Sequence, residues 1–211
     1  MAEKNDHFYI DYCPYDQLLS TLYALSQEKY LTSSEIAEII GDNYRSEIRK
    51  RLVLLELAVE KVINNSTTLC LTPRGIKVKE IANFDPDLLP EIIHYLHMSY
   101  DPNNSSSPKM LWSYSQCSMY LWNTEELSNY KVISAFVQNR MIEEFPHLDF
   151  TASVGARFDH YAVGRWSAYI QKLSPSPVDK NKLIKRDIPR YEIVLLSLDD
   201  FYRRHQLRYG D

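Results

Sequence analysis

Glu91, His94 and His97 stand at i, i+3 and i+6, and they are the residues whose types come nearest to a metal site. Imidazoles three residues apart share a helix face, and neutral imidazole is a common metal ligand. A zinc peptidase needs His-Glu-x-x-His, which this spacing is not. Cys117 or His160 would have to arrive from elsewhere as a further ligand, so ordinary polar or half-buried histidines are the expectation. Asp159 and His160 are adjacent, and neighbours on a helix do not face each other as a dyad must. Ser105–Ser107 has no nucleophile-elbow pattern around it. No catalytic residue is assigned, and neither a metal nor another cofactor is expected.

The second chemistry is that of binding polyanions. Eight basic and three acidic residues fall between Arg45 and Lys79, in a chain whose net charge is −4. At 100° per residue, a helix over 44–58 turns Ile48, Leu52 and Leu55 inward. Ser46, Arg49 and Lys50 then point outward, with Arg45 at the margin. Arg bonds guanine O6 and N7 in pairs, while Lys and Ser hold phosphates. Arg74 and Lys77 follow on a later helix. The competing reading is a solvated face with salt bridges to Glu47 or Glu56. Tyr44 either touches the same ligand or leans back on the core.

These side chains need elements to hold them. Tyr15, Leu18, Leu22 and Leu25 form one stripe of a first helix, about 14–29. Thr32 with Glu35 makes a capping box for a short helix. Its Ile36, Ile39 and Ile40 face inward, and Gly41 ends it. Asn43 caps the helix that follows. Val59, Val62 and Ile63, then Thr67 to Leu71, are strand formers around Asn64-Asn65-Ser66 and predict a hairpin. Thr72 as N-cap with Pro73 at N1 starts a closing helix.

Two phrases in this run, LTSSEIAEIIG and LTPRGIKVKEI, resemble the second helix and the wing closure of winged helix-turn-helix proteins. The resemblance covers residues 15–83. It implies three helices plus a small β-hairpin, with the 44–58 helix in the major groove of double-stranded DNA. It also implies Arg45, Ser46, Arg49, Lys50, Arg74 and Lys77 as DNA-binding residues. The tip, Asn64-Asn65-Ser66-Thr67, departs from the basic wing tips that touch the minor groove, leaving two amides as polar contacts. Winged helices also serve as protein-binding scaffolds, so an adaptor that never touches DNA is the alternative.

Composition sets the frame. Five Gly against 16 Tyr, with 45 % apolar residues, favours helices with a sizeable core and excludes a glycine-loop nucleotide site. Cys13, Cys70 and Cys117 lack paired spacing, which fits reduced thiols. No apolar leader or spanning run is present, so a cytoplasmic protein with no membrane contact is expected.

The expected fold is mainly α: a winged helix-turn-helix domain over 1–84, then an all-helical domain over 85–211. The second part contains a helix near 88–99, a loop over 101–108, an aromatic helix from Lys109 to Trp122 and a helix near 129–144. Trp112, Tyr114 and Trp122 are either base-stacking residues or core and interface. A Gly-containing break at Val163-Gly164 would make 150–173 a second helix-turn-helix, read by Gly164 to Leu173. A plain helical hairpin is the other reading. A basic loop and a closing helix burying Ile193, Leu196, Leu198 and Phe201 end the chain. The expected role is transcription regulation, or an accessory subunit in antiviral defence or mobile-element complexes, as a homodimer or with a protein partner through the helical domain. The whole layout is similar to small uncharacterised proteins found beside bacterial phage-defence genes.

Overall fold

The computed structural model of the chain describes residues 7–41, 44, 46–124, 129–148, 158–174 and 176–178, without the Trp122 side chain. Asn43, Arg45, residues 150–157 of the 150–173 segment, most of the expected basic loop and the expected closing helix lie outside these residues. The protein is mainly helical with one small antiparallel sheet. Among the described residues no helix is long and apolar enough to cross a membrane.

The order begins with α1 (Tyr15–Ala24), β1 (Leu31–Thr32), α2 (Ser33–Ile40) and α3 (Ser46–Leu54). The hairpin β2 (Ala58–Ile63) and β3 (Ser66–Leu71) follows, then α4 (Pro73–Phe84). The sheet order is β1-β3-β2. α5 (Leu89–His97), α6 (Lys109–Trp122), α7 (Tyr130–Glu144) and α8 (His160–Ile170) form the rest.

Local signals explain most of the first half. Thr32 Oγ1 accepts from Glu35 N–H at 3.2 Å, and Glu35 Oε2 accepts from Thr32 N–H at 2.7 Å, so the capping box closes. Gly41, at φ 86°, ends α2. Asn64 and Asn65 take φ 49° and 60°, the paired left-handed conformation of a two-residue hairpin turn. Strand β1 is too short to have left a pattern, and it exists because Leu31 and Thr32 pair with Leu69 and Thr68.

Thr72 and Gly75 of the Leu-Thr-Pro-Arg-Gly run tie the start of α4 to the turn after α3. Thr72 Oγ1 accepts from Gly75 N–H at 3.0 Å and donates to Glu56 O at 2.6 Å. Glu56 itself turns the chain from α3 into β2 at φ 57°. Gly75 lets α4 approach that turn, because a Cβ there would lie 1.9 Å from Leu57 O.

Four expectations need correction. The first helix, expected over about 14–29, ends at Ala24, with Leu25 extended. Ile39 is 58 % exposed, because α2 buries only Ile36 fully. The helix expected over 44–58 ends at Leu54, since Glu56 reverses the chain. There is no break at Val163-Gly164: α8 runs through it. Burial of Ala162, Val163, Trp166, Tyr169 and Ile170 outweighs glycine's helix penalty of about 1 kcal/mol. The segment proposed as a second reading helix, Gly164 to Leu173, is thus largely a core helix and not a groove-facing one. Gly164 instead faces the Tyr130 ring of α7, 3.6 Å from where its Cβ would be.

The core is continuous across residue 84. Residues 8–13 leave α1 and pack on the later helices: Phe8 lies edge-on to Trp112 and Phe145, at 5.7 and 5.3 Å between ring centres. Cys13 N–H donates to Tyr169 Oη at 2.8 Å, and Tyr169 O–H donates to Asp11 O at 3.1 Å. Trp112 and Tyr114 are core residues, nearly or fully buried.

Because the obstacle at Gly75 is backbone, Gly75→Ala should force α4 off the 56–57 turn and cost about 2 kcal/mol or more. Urea unfolding checks this, and an unchanged midpoint would refute the close-approach role.

Candidate nucleic-acid interface

Ile48, Leu52 and Leu55 are buried, so the opposite face of α3 is turned to solvent as the spacing requires. Ser46 opens the helix and is exposed, its hydroxyl donating to Glu47 Oε2 at 3.4 Å. Lys50 is exposed and has no ion pair among the described residues. Arg49 is half-buried, its Nε 3.1 Å from Glu60 Oε1 on β2, without the alignment of a hydrogen bond. Arg74 Nη1 lies 2.6 Å from Glu56 Oε2. Lys77 is half-buried one turn further along α4. Arg45 lies outside the described residues.

The structure thus brings Ser46, Arg49 and Lys50 to one face and leaves Arg74 beside the α3–β2 turn. Part of the bland reading is also present, with one change. Carboxylates do neutralise the cations, but Arg49 uses Glu60, and Glu56 serves Arg74. Lys79 is structural: its ammonium donates to Tyr23 O and Leu25 O at 2.9 and 2.8 Å, at the C-terminus of α1. On β2, Lys61 sits 4.8 Å over the Tyr30 ring, whose contact raises its pKa. Tyr44 leans back on the core, and burial pushes its phenol up to about 12.

The residue that sequence reasoning missed is Arg51. It counts as one more cation of a basic helix, yet it is 3 % exposed. Its Nη1 donates to His97 Nε2 at 2.7 Å and contacts Met110 Sδ at 3.2 Å, and its Nη2 donates to Asp11 O. The guanidinium lies 5.5 Å from the centre of the Tyr169 ring. A guanidinium only donates, so His97 Nε2 must present its lone pair and the ring must be neutral. The only signal available was register: Arg51 follows Ile48 by three places and precedes Leu55 by four, on the inward side of the helix.

The other chemistry-bearing residues are engaged as well. His94 Nδ1 is 2.6 Å from Tyr114 Oη, and His97 stacks on the same ring at 4.6 Å and 17°. Glu91 Oε1 accepts from Ser174 N–H at 2.8 Å. Among the described residues no group of three His, Cys, Asp or Glu is placed to hold a metal ion. Asp159 is the N-cap of α8, accepting from Tyr161 and Ala162 N–H at 2.9 and 3.1 Å. Ser107 Oγ accepts from Asp101 N–H at 3.2 Å within the loop. Cys13, Cys70 and Cys117 are free thiols and buried.

Comparison with family models, with curated proteins and with solved structures gives no match.

Burial pulls His94 down to about 4, and burial together with the Arg51 charge holds His97 well below its ordinary value. Native histidines that refuse protons lose stability where the unfolded chain accepts them. Stability should therefore be full above about pH 6.5 and fall between there and pH 4, with His94 alone accounting for about 3 kcal/mol. Urea unfolding at pH 7 and pH 5, followed by tryptophan fluorescence, reads this directly. Equal midpoints at the two pH values would show that these rings titrate normally.

Proposed function

We propose that this chain is a non-enzymatic, duplex-DNA-binding protein whose N-terminal half is a winged helix-turn-helix. The observation that carries the reading is the order helix, short strand, helix, helix, hairpin with strands arranged β1-β3-β2, and α3 turning Ser46, Arg49 and Lys50 outward. In this reading α3 lies in the major groove, Arg49 and Lys50 meet base edges or phosphates, and Arg74, Lys77 and Arg45 flank them. The role is transcription regulation or accessory DNA binding in an antiviral defence or mobile-element complex. Three free, buried thiols fit a reducing cytoplasm.

The adaptor reading has its own support. Arg49 and Arg74 are each paired with a carboxylate, and the wing carries Val62 at 74 % exposure, with Val59 and Ile63 also exposed. The half-buried Arg49–Glu60 pair holds more firmly, whereas the exposed Arg74–Glu56 pair is worth only about 0–1 kcal/mol, so a phosphate can displace its carboxylate. That weighs for DNA.

Binding to a labelled random-sequence duplex, titrated with salt, tests the choice. With three or four cations engaged, log K should fall with log salt at a slope of about −3 to −4. Arg49→Glu/Lys50→Glu should abolish binding, and Glu60→Gln should strengthen it by releasing Arg49. No binding at low salt, or binding indifferent to both variants, leaves the adaptor.

The wing gives a separate expectation. Two amides at the tip can use the acceptors on the minor-groove floor, where the guanine amino group obstructs them. Poly(dA-dT) and poly(dI-dC) should therefore compete better than poly(dG-dC). Asn64→Gly/Asn65→Gly keeps the turn, since both residues have positive φ. It should erase the preference while leaving the salt slope unchanged. A preference that survives the variant would show that the tip does not read the groove.

A further inference from the structure

α7 is apolar on two sides. Its inner side, with Ile133, Val137 and Met141, is buried against the core. Its outer side carries Val132 at 51 % exposure and Ile142 at 60 %, with Ala135 and Asn139 exposed between them. These four follow one another at spacings of three, four and three, the spacing of a helix–helix seam. A surface helix ordinarily confines its apolar residues to one stripe, so a second stripe calls for a second neighbour.

The ends of α7 say which neighbour. Lys131 stands in its first turn and Glu143 and Glu144 in its last, the reverse of what the helix dipole favours; Arg140 pairs with both glutamates, so that end keeps a single net negative charge. Both patterns become complementary under one two-fold axis at the level of Val137. Antiparallel pairing sets Val132 of each copy at the level of Ile142 of the other, and Ala135 at the level of Asn139. The positive end of each helix then lies beside the negative end of the other. Parallel pairing would instead bring Lys131 to Lys131 and Glu143 to Glu143. An isologous contact of this kind closes as a dimer.

We infer that the outer face of α7 is the interface through which two copies of this chain associate, antiparallel, along Val132, Ala135, Asn139 and Ile142. The inference does not require the DNA reading. Where that reading holds, the two-fold relates two copies of α3 as a palindromic site requires. One helix face is a small contact, so the association is weak, in the range of about 1–50 µM.

Sedimentation equilibrium of the full chain without DNA, from about 1 to 200 µM, should pass from one chain mass to two. Val132→Asp/Ile142→Asp changes only exposed side chains, and it should weaken association at least about tenfold with an unchanged circular dichroism spectrum. Val132→Cys/Ile142→Cys should give a covalent dimer with a short bis-maleimide, because the two sites of one helix are about 15 Å apart and out of its reach. Ile142→Cys alone should not. A single chain mass throughout, a dimer indifferent to the aspartates, or cross-linking by Ile142→Cys alone would each overturn the inference. Failure of DNA binding would leave it intact.

Discussion

The buried guanidinium of Arg51 is the constraint on which the rest of the architecture turns. Arginine cannot shed its charge at any pH the protein meets. Every element around it must therefore offer an acceptor, a π face or a neutral ring. α5 supplies His97 Nε2, the N-terminal segment supplies Asp11 O, α6 supplies Met110 Sδ and α8 supplies the Tyr169 face. Among the described residues no carboxylate pairs with the guanidinium. The Asp11 carboxyl is held below its ordinary pKa, chiefly by its hydrogen bond to His7, with the Arg51 charge assisting. Removing any one of these partners would leave a buried charge short of a bond, an error costing several kcal/mol, whereas an all-apolar junction would tolerate many substitutions. The arrangement therefore favours one register of the helices over near alternatives.

This has a consequence for α3. Its outer face offers Ser46, Arg49 and Lys50, while its inner face carries Arg51, which bonds to Asp11, His97 and Met110 and lies over the Tyr169 ring. The orientation of the outward side chains is thus tied through Arg51 to α5, α6 and α8, in addition to the packing of α3 on α1 and β2. The segment from Phe8 to Cys13 strengthens the link, since it belongs by sequence to the first half and packs on the second. A partner or ligand that rearranged α5 or α8 would act on α3 through Arg51, with no need for a flexible joint.

Most local structure was legible because it is caused locally. The Thr32–Glu35 box, the Thr72-Pro73 start and the Asn64-Asn65 turn each rest on groups within a few residues of one another. The span from Lys109 to Trp122 matched because its apolar residues bury along a helix bounded by Pro108 and Asn123. What escaped was caused at a distance. β1 exists only through β3, and α8 passes Gly164 only because Trp166 and its neighbours are buried. Ile39 obeys the pattern of an inward residue and still faces water, because α2 is short and only Ile36 is fully covered. Arg51 escaped for a chemical reason: charge is expected at the surface, and only the partners at Asp11 and His97 make its burial tolerable. At the candidate interface the outward cations were legible, but their pairing with Glu60 and Glu56 depends on the hairpin folding back.

If the proposed DNA-binding reading holds, that pairing bears on selectivity. A bare cluster of cations in a chain of net charge −4 would hold any polyanion, and nonspecific affinity grows with every phosphate neutralised. With Arg49 beside Glu60 and Arg74 beside Glu56, a phosphate gains only the difference between itself and a carboxylate already in place. Contacts that the carboxylates cannot imitate, such as two parallel bonds to a guanine edge, then count for more of the total. Discrimination rises because the general attraction has been lowered, the usual way a binding surface gains specificity by penalising wrong partners. On the proposed DNA-binding reading, Lys50, which has no such counter-charge among the described residues, remains to draw the duplex in. On this account Glu60 belongs to the recognition surface as much as the arginine it restrains.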